Sequence, residues 1–356
     1  MIKRLDISDF KCISHVSLEL GGLNLLTGPN SAGKSTVIQA LLLLAQSVKD
    51  EEKHASTLNG EYVKLGKASD IRNIYTNRKQ AEIKLKNEEG ESATCVIQLA
   101  ESDKPSVSVY SPPFLSDADI VYLSNNRIGV EEIYRKNLEN QNRIGTKGEY
   151  AFDYLSRQRL ENLEEPDFAV DVARVGMNLG NQVNYWLEYL LGYQIKADDV
   201  DNTNFVRVVY ERTGSNRPIR PFHVGTGVSY VANLVVAALS CRKESIFVVE
   251  NPEIHLHPAA QARMIEFLAF LASRGLQVIV ETHSDHIFNG IRRLIHGGRL
   301  KTGDTAVYFI CKNGQECSEA VRIEITEEGK IKNQQKGLFD QFDEDLDELL
   351  DLKDYE

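Results

Sequence analysis

The stretch Gly28-Pro29-Asn30-Ser31-Ala32-Gly33-Lys34-Ser35-Thr36 decides how this chain is read. It matches G-x-x-x-x-G-K-[ST], a loop whose glycines let successive backbone N–H groups turn inward around a phosphate. Its flanks agree. Leu23-Asn24-Leu25-Leu26-Thr27 reads as a buried strand, and Val37 to Ser47 reads as a helix whose N-terminus adds partial positive charge. In that setting Asn30, Ser31, Ala32, Gly33, Lys34, Ser35 and Thr36 are expected to hold a nucleotide's phosphates. Lys34 would reach the β- and γ-phosphates, and the Ser35 hydroxyl would ligate Mg²⁺. A glycine turn that matches by chance would leave both flanks unexplained.

Composition sets the outer bounds. The 356 residues suffice for one large α/β domain or two modest ones, and 26% charged with 42% hydrophobic residues is a globular balance. Met1 to Asp6 leads straight into alternating strand sequence, so no signal peptide is expected. No apolar run approaches the ~20 residues that span a bilayer. The five cysteines, Cys12, Cys95, Cys241, Cys311 and Cys317, are scattered and form no C-x-x-C pair, which suggests neither zinc nor a disulfide framework. A cytoplasmic protein without membrane partners is expected. The net charge of −11 is concentrated in Leu338 to Glu356, where nine acidic residues meet one lysine, leaving −3 on the body. A body so close to neutral can still carry a local basic face, so DNA stays a possible partner.

Taken in order, Ile2 to Phe10 and His15 to Leu20 alternate apolar and polar residues as half-buried antiparallel strands. After the loop and its helix comes a turn-rich excursion, Leu58 to Ile74. Ala81–Leu85 and Thr94–Leu99 read as another antiparallel pair, and Ile120-Val121-Tyr122-Leu123 as a short buried strand. From about 127 to 200 the sequence is polar and mostly helical in period, with an apolar face marked by Trp186 to Leu191. A helical insertion is expected there, with Arg127 to Arg174 the place to seek trigger or partner contacts. Phe205 to Glu211 returns to strand pattern. Then Ser229–Leu239, Ala259–Ala272 and Asp285–His296 read as helices alternating with strands Ser245–Val249, Leu276–Val280 and Ala306–Ile310. Such alternation implies a parallel sheet with right-handed crossovers. The fold class is therefore α/β: a P-loop domain over residues 1–356, with a mixed sheet, an N-terminal antiparallel part, the insertion and an acidic tail over 338–356.

Four further stretches fit the P-loop. Phe247-Val248-Val249-Glu250-Asn251-Pro252-Glu253 is an apolar strand ending in a carboxylate, the usual way to hold Mg²⁺ at a sheet's carboxyl edge. Glu250 holds that place, although two loop acids could simply be solvated. His223 to Ser229 is a glycine turn opening a helix, and it resembles the signature motif of ABC-type ATPases. Gly225, Gly227 and Ser229 would then meet the γ-phosphate of ATP held on a partner copy. Val280-Glu281-Thr282-His283-Ser284 ends the next strand, where His283 could hydrogen-bond a γ-phosphate; the alternative is a capping cluster starting at Ser284. His255 and His257 invite a metal reading, but no third ligand follows at a usable spacing, and a loop packed across a dimer seam fits better. Arg127, after a strand end, is a candidate nucleotide or structural contact.

Together these residues resemble standalone ABC-type AAA ATPases related to the overcoming-lysogenisation-defect (OLD) and SMC proteins. The likeness is strongest to a bacterial subgroup with Glu-Asn-Pro-Glu-x-His-Leu-His-Pro and Glu-Thr-His-Ser-Asp-His, present here at Glu250–Pro258 and Glu281–His286. Leu58 to Gly66 and Gly337 to Gln341 look like that subgroup too. The resemblance implies ATP and Mg²⁺ as cofactors, a homodimer or higher homo-oligomer formed on ATP, hydrolysis, and service in anti-phage defence beside a separate effector such as a nuclease. Two departures stand out. Most ABC-type ATPases end the strand with Asp-Glu, the Glu being the general base; here the pair is Glu250-Asn251, so Glu253 is the nearest carboxylate able to take that part. OLD nucleases carry a Toprim domain after the ATPase, whereas about forty-five residues follow Ile310 here, so any nuclease is expected to act in trans.

The leading expectation is an ATPase, slow in turnover, whose assembly on ATP controls an effector, with Lys34, Glu253 and His283 as its catalytic groups. The alternatives are an SMC-like DNA-binding or DNA-repair clamp without an effector and, behind it, a transporter ATPase subunit.

Overall fold

A computed structural model of the chain describes residues 1–51, 58–99, 106–110, 120–138, 143–215, 217–314 and 316–350. The N-terminal alternation becomes strands β1 (Ile2–Phe10) and β2 (Ile13–Glu19), followed by β3 (Leu23–Thr27) and helix α1 (Lys34–Glu51). Then come β4 (Gln80–Asn87), β5 (Ser92–Gln98), β6 (Ser106–Tyr110), β7 (Ile120–Leu123) and β8 (Ile133–Arg135). Helices α2 (Ala151–Gln158) and α3 (Leu179–Leu191) precede β9 (Tyr193–Asp199), β10 (Phe205–Arg212) and β11 (Pro218–Ile219). The second half runs α4 (Thr226–Leu239), β12 (Ile246–Glu250), α5 (Pro258–Ser273), β13 (Gln277–Glu281), α6 (Asp285–His296), β14 (Thr305–Lys312), β15 (Ser318–Arg322) and α7 (Gln341–Leu349).

One eleven-stranded sheet carries the fold, in the order β6-β5-β4-β1-β2-β15-β14-β3-β13-β12-β7. The β6 to β2 end is antiparallel, while β14, β3, β13, β12 and β7 run parallel to one another. This is the mixed sheet that the two halves of the sequence imply. Its parallel strands are covered on both faces. Leu23, Leu25, Phe247, Val249, Val278 and Val280 face one core; Leu26, Val248, Ile279 and Ile310 face the other. A period of two explains why these strands read as unbroken apolar runs. Against the second face lies α1, which is buried nearly all round from Val37 to Ala45.

The middle of the chain departs from expectation. It contains α2 and α3, but β8, β9, β10 and β11 form a second antiparallel sheet centred on β10. The segment from 127 to 200 is therefore an α+β insertion rather than a helical one. The signal was partly present: Ile195 and Ala197 are buried at alternate positions, and so are Val206, Val208 and Tyr210 across from them. The three residues of β8 are too few to show a period. The acidic tail forms α7, and residues 351–356 lie outside the described ones.

At the opposite, amino-terminal edge of the parallel strands, two buried amides fix the register. Asn24 Nδ2 donates to the carbonyls of Gly21 and Val278, and its Oδ1 accepts from Gly21 N. Gln277 accepts from Ile2 N and donates to the carbonyls of Ile2 and Gly21. Both side chains are fully buried. Gln277→Leu would take the side-chain partner from the Ile2 N–H and carbonyl in the core, while Gly21 O keeps its bond from Asn24 Nδ2. It is expected to cost about 2–3 kcal/mol, read as a lower urea midpoint with unchanged slope; an unchanged midpoint would refute this role.

Candidate active site

The P-loop turns through three residues with positive φ, Gly28 (139°), Ser31 (59°) and Gly33 (111°). A Cβ at Gly28 would lie 2.1 Å from Ile310 O, and one at Gly33 would lie 2.5 Å from Ser318 Oγ. Strand β14 and the start of β15 thus press on the loop from behind, and glycine is the residue that fits. Asn30 and Ser31 are exposed at the tip, while Ala32, Gly33, Lys34 and Thr36 are buried beneath it. Lys34 Nζ donates to the carbonyls of Gly28 (2.9 Å) and Pro29 (2.8 Å). Burial draws its pKa below the ordinary value, and the negative charge of Glu281 opposes that shift.

In-register parallel pairing brings the acids to the same edge. Glu250 at the end of β12 faces Glu281 at the end of β13, which in turn pairs with Leu26 two residues before the loop. The Ser35 hydroxyl donates to both carboxylate oxygens of Glu281, at 3.0 and 3.1 Å. Glu250 is engaged elsewhere, accepting from the Tyr122 hydroxyl (3.0 Å) and from Asn125 N (3.1 Å). Burial and the Glu250 charge raise the Tyr122 phenol well above its ordinary value. Burial, then repulsion from Glu250, lift Glu281 to about 7, against the hydrogen bond from Ser35 and the charge of Lys34.

Beyond β12 the chain enters a strained turn. Asn251 has φ 45° and His255 φ 61°, left-handed values that cost non-glycine residues free energy. Two contacts hold the turn: Asn251 N donates to Glu281 O (2.7 Å), and the Arg127 guanidinium donates to the carbonyls of Glu250 (2.7 Å) and Asn251 (2.6 Å). Arg127 is 4% exposed and lies 5.7 Å from the Tyr230 ring. Burial lowers its pKa, with Glu253 the largest opposing charge. Its place is structural, bracing the ends of β7 and β12 against α4. The turn delivers Glu253, whose Oε1 accepts from His283 N at 2.8 Å. Its Oε2 is buried without a partner, as are Asn251 Oδ1 and Arg127 Nε. The His283 residue is exposed, and burial of its ring together with Lys34 lowers its pKa. Ser284 caps α6, its hydroxyl accepting from Ile287 N.

The structure thus gathers Lys34, Ser35, Glu250, Glu253 and His283 at one edge, as the strand pattern implies. It differs on three points. Glu281, which the sequence reading passed over in favour of Glu250, is the carboxylate that touches Ser35. Its signal was its position at the end of a strand two residues before His283. Ser229 is 2% exposed and accepts a hydrogen bond from the buried Tyr210 hydroxyl (3.0 Å), so it belongs to the core rather than to the open turn. Gly225 and Thr226, by contrast, are exposed at the start of α4. Gly227 is buried, and a Cβ there would lie 2.5 Å from His255 O. His255 stacks 5.3 Å from Tyr230, and His257 Nδ1 accepts from Ala259 N at the start of α5, so each has a structural contact.

Ser35, Glu281 and Glu250 form a hard-oxygen donor set, and the charge repulsion that lifts Glu281 is what a divalent cation relieves. Among the described residues no group of three or more His, Cys, Asp or Glu could hold a metal by itself. Such a site suits Mg²⁺ shared with phosphate oxygens.

Comparison with known proteins bears on family and fold. The model of a family described as "AAA ATPase domain" matches residues 1–191, just over half of the chain. A model for an AAA domain labelled a candidate AbiEii toxin of a type IV TA system matches 99–289, and a family of unknown function matches 300–349. An OLD nuclease from Thermus scotoductus is 22% identical over 82% of this chain and 60% of its own length. The chain therefore spans about 60% of that relative. Among solved structures, an Smc head with the C-terminal domain of ScpA from Pyrococcus furiosus gives a TM-score of 0.56 at 11% identity, covering 98% of this chain and 99% of that one. A second Smc head, bound to the C-winged helix domain of ScpA, gives 0.55 at 13% identity over 92% and 98%. These structures share the fold. No described helix is long and apolar enough to cross a membrane.

The Glu281 carboxyl gives a sign-definite test. Its folded pKa lies above the ordinary 4.5, so the nucleotide-free fold binds more protons than the unfolded chain between about 4.5 and 7. Stability should fall as pH rises through that window and stay low above it. Glu281→Gln should flatten this dependence and stabilise the nucleotide-free protein at pH 8 by on the order of 2 kcal/mol. Urea midpoints at acid and alkaline pH measure both.

Proposed function

The chain belongs to the AAA ATPase domain family, and from that premise we propose that it binds and hydrolyses ATP with Mg²⁺ and assembles on it. The observation that carries the reading is Glu253: one carboxylate oxygen is anchored on His283 N and the other is buried and unpaired. In this reading that second oxygen serves as the general base. A water attacking the γ-phosphorus would give its proton to Glu253 as the bond to ADP breaks, while the His283 ring steadies a γ-phosphate oxygen. Lys34 exchanges the carbonyls of Gly28 and Pro29 for the β- and γ-phosphates, a change its depressed pKa and burial favour. Ser35, Glu281 and Glu250 would hold Mg²⁺, which supplies neutralising charge to the phosphates.

The exposed start of α4, at Gly225 and Thr226, supports a composite site in which one copy completes another copy's nucleotide pocket. An ATP-dependent homodimer or larger homo-oligomer follows, acting as a switch for a separate effector such as a nuclease in anti-phage defence. The resemblance through Glu250–Pro258 and Glu281–His286, and a relative that is an OLD nuclease, support this assignment. The SMC-head fold favours a second reading, a DNA-binding or repair clamp without an effector.

Phosphate release and solution mass with Mg²⁺-ATP test the proposal. The parent should turn over, and Lys34→Ala should neither hydrolyse nor assemble. Glu253→Gln should lose about 10²–10⁴-fold in hydrolysis while accumulating as an ATP-bound assembly. If Glu253→Gln hydrolyses like the parent, Glu253 is not the base.

A further inference from the structure

Two surface features remain unexplained by nucleotide chemistry, and they match each other. The first is a groove between α3, α5 and α6 with a volume of about 420 Å³, floored by Tyr185, Trp186, Tyr189 and Phe270. Trp186 is the chain's single tryptophan; it is 6% exposed, and its indole N–H is buried without a partner. A neighbouring hollow shares Tyr185 and Tyr189 and extends the groove to Arg174. The rim is cationic. Arg263 lies over the Tyr189 ring at 5.8 Å and Arg274 over Phe270 at 5.4 Å. Arg293 and Arg299 both reach Glu266, which also accepts from the Tyr189 hydroxyl. Among the described residues, five arginines thus face two acids, Glu188 and Glu266.

The second feature is α7. It carries five acidic residues and no basic one, and Leu346, Leu349 and Leu350 are 41%, 81% and 57% exposed. Spacings of three and four place these leucines on one helix face. Leu338 is buried and the Phe339 ring lies 5.3 Å from Phe288, so the chain is pinned to α6 just before α7 begins. From that anchor the helix presents its apolar face to solvent.

We propose that α7 of one copy docks in the arginine-rimmed aromatic groove of a second copy, linking chains without nucleotide. The leucines would cover the exposed Tyr189 ring and the half-buried Tyr185 and Phe270 rings beside it, and the acidic residues would meet the arginine rim. This contact uses neither the P-loop nor the start of α4, so it can coexist with an ATP-driven interface. Its failure would leave the ATPase reading untouched.

The test is nucleotide-free light scattering over a concentration series, together with Trp186 emission. Full-length parent is compared with Leu346→Ser/Leu349→Ser, Asp345→Arg/Glu348→Arg and Arg293→Glu/Arg299→Glu. All these side chains lie on the surface, and far-UV dichroism checks the fold. The parent should exceed the mass of one chain. Each variant should associate at least about tenfold more weakly, with a shift in Trp186 emission. Mixing the two charge-reversed proteins should restore association in the mixture. A parent that stays at single-chain mass, or variants with unchanged mass, would overturn the proposal. So would an emission change without any mass change, because the helix would then be folding onto its own groove.

Discussion

Parallel, in-register pairing of β3, β13 and β12 is the constraint on which the rest of this protein depends. It sets Leu26 beside Glu281 and Glu281 beside Glu250, so three stretches remote in sequence end at one edge. Side chains alternate along a strand, and a slip of one residue would turn both acids into the apolar layers. Two buried amides, Asn24 and Gln277, hold the register from the far end, where each has its polar groups matched by backbone. Register at one edge therefore governs charge at the other.

That charge is out of balance in the nucleotide-free fold. Glu250, Glu281 and Glu253 lie close together, while the two nearby cations are both engaged by backbone carbonyls, Lys34 in the loop and Arg127 at the end of β12. The lift of Glu281 has burial and this crowding of carboxylates as its cause, a pattern that active sites commonly show. Strain accompanies it. Asn251 and His255 adopt left-handed backbone, and a buried arginine offsets the cost by gripping the two carbonyls at the strand end. The same arginine touches Tyr230 in the first turns of α4, so the helix start that would meet a second copy is mechanically tied to the turn that presents Glu253.

Much of this was legible in the chain. The P-loop announces itself through glycines that the close-packed turn requires and a lysine after them, and its strand and helix flanks are strongly apolar. The αβ alternation after Ser229 places β12, β13 and β14 to within a few residues, because long buried runs leave little room for another reading. The insertion was harder. The three residues of β8 show no period, and the strong helical pattern around Trp186 runs up to the start of β9. Ser229 looked polar and available next to a glycine turn, yet its hydroxyl serves the buried Tyr210.

The amino-acid sequence alone determined the chemistry: a phosphate loop, strand ends carrying acids, and a histidine following one of them. It did so because each depends on residues adjacent in the chain. Tertiary structure alone decided the partnerships, giving Ser35 to Glu281, Glu250 to Tyr122 and Asn125, and the Glu253 carboxylate to His283 N. Those pairings depend on which strands lie side by side and in what register. That order is settled by two buried faces packing at once, a property of the whole sheet that no local stretch encodes.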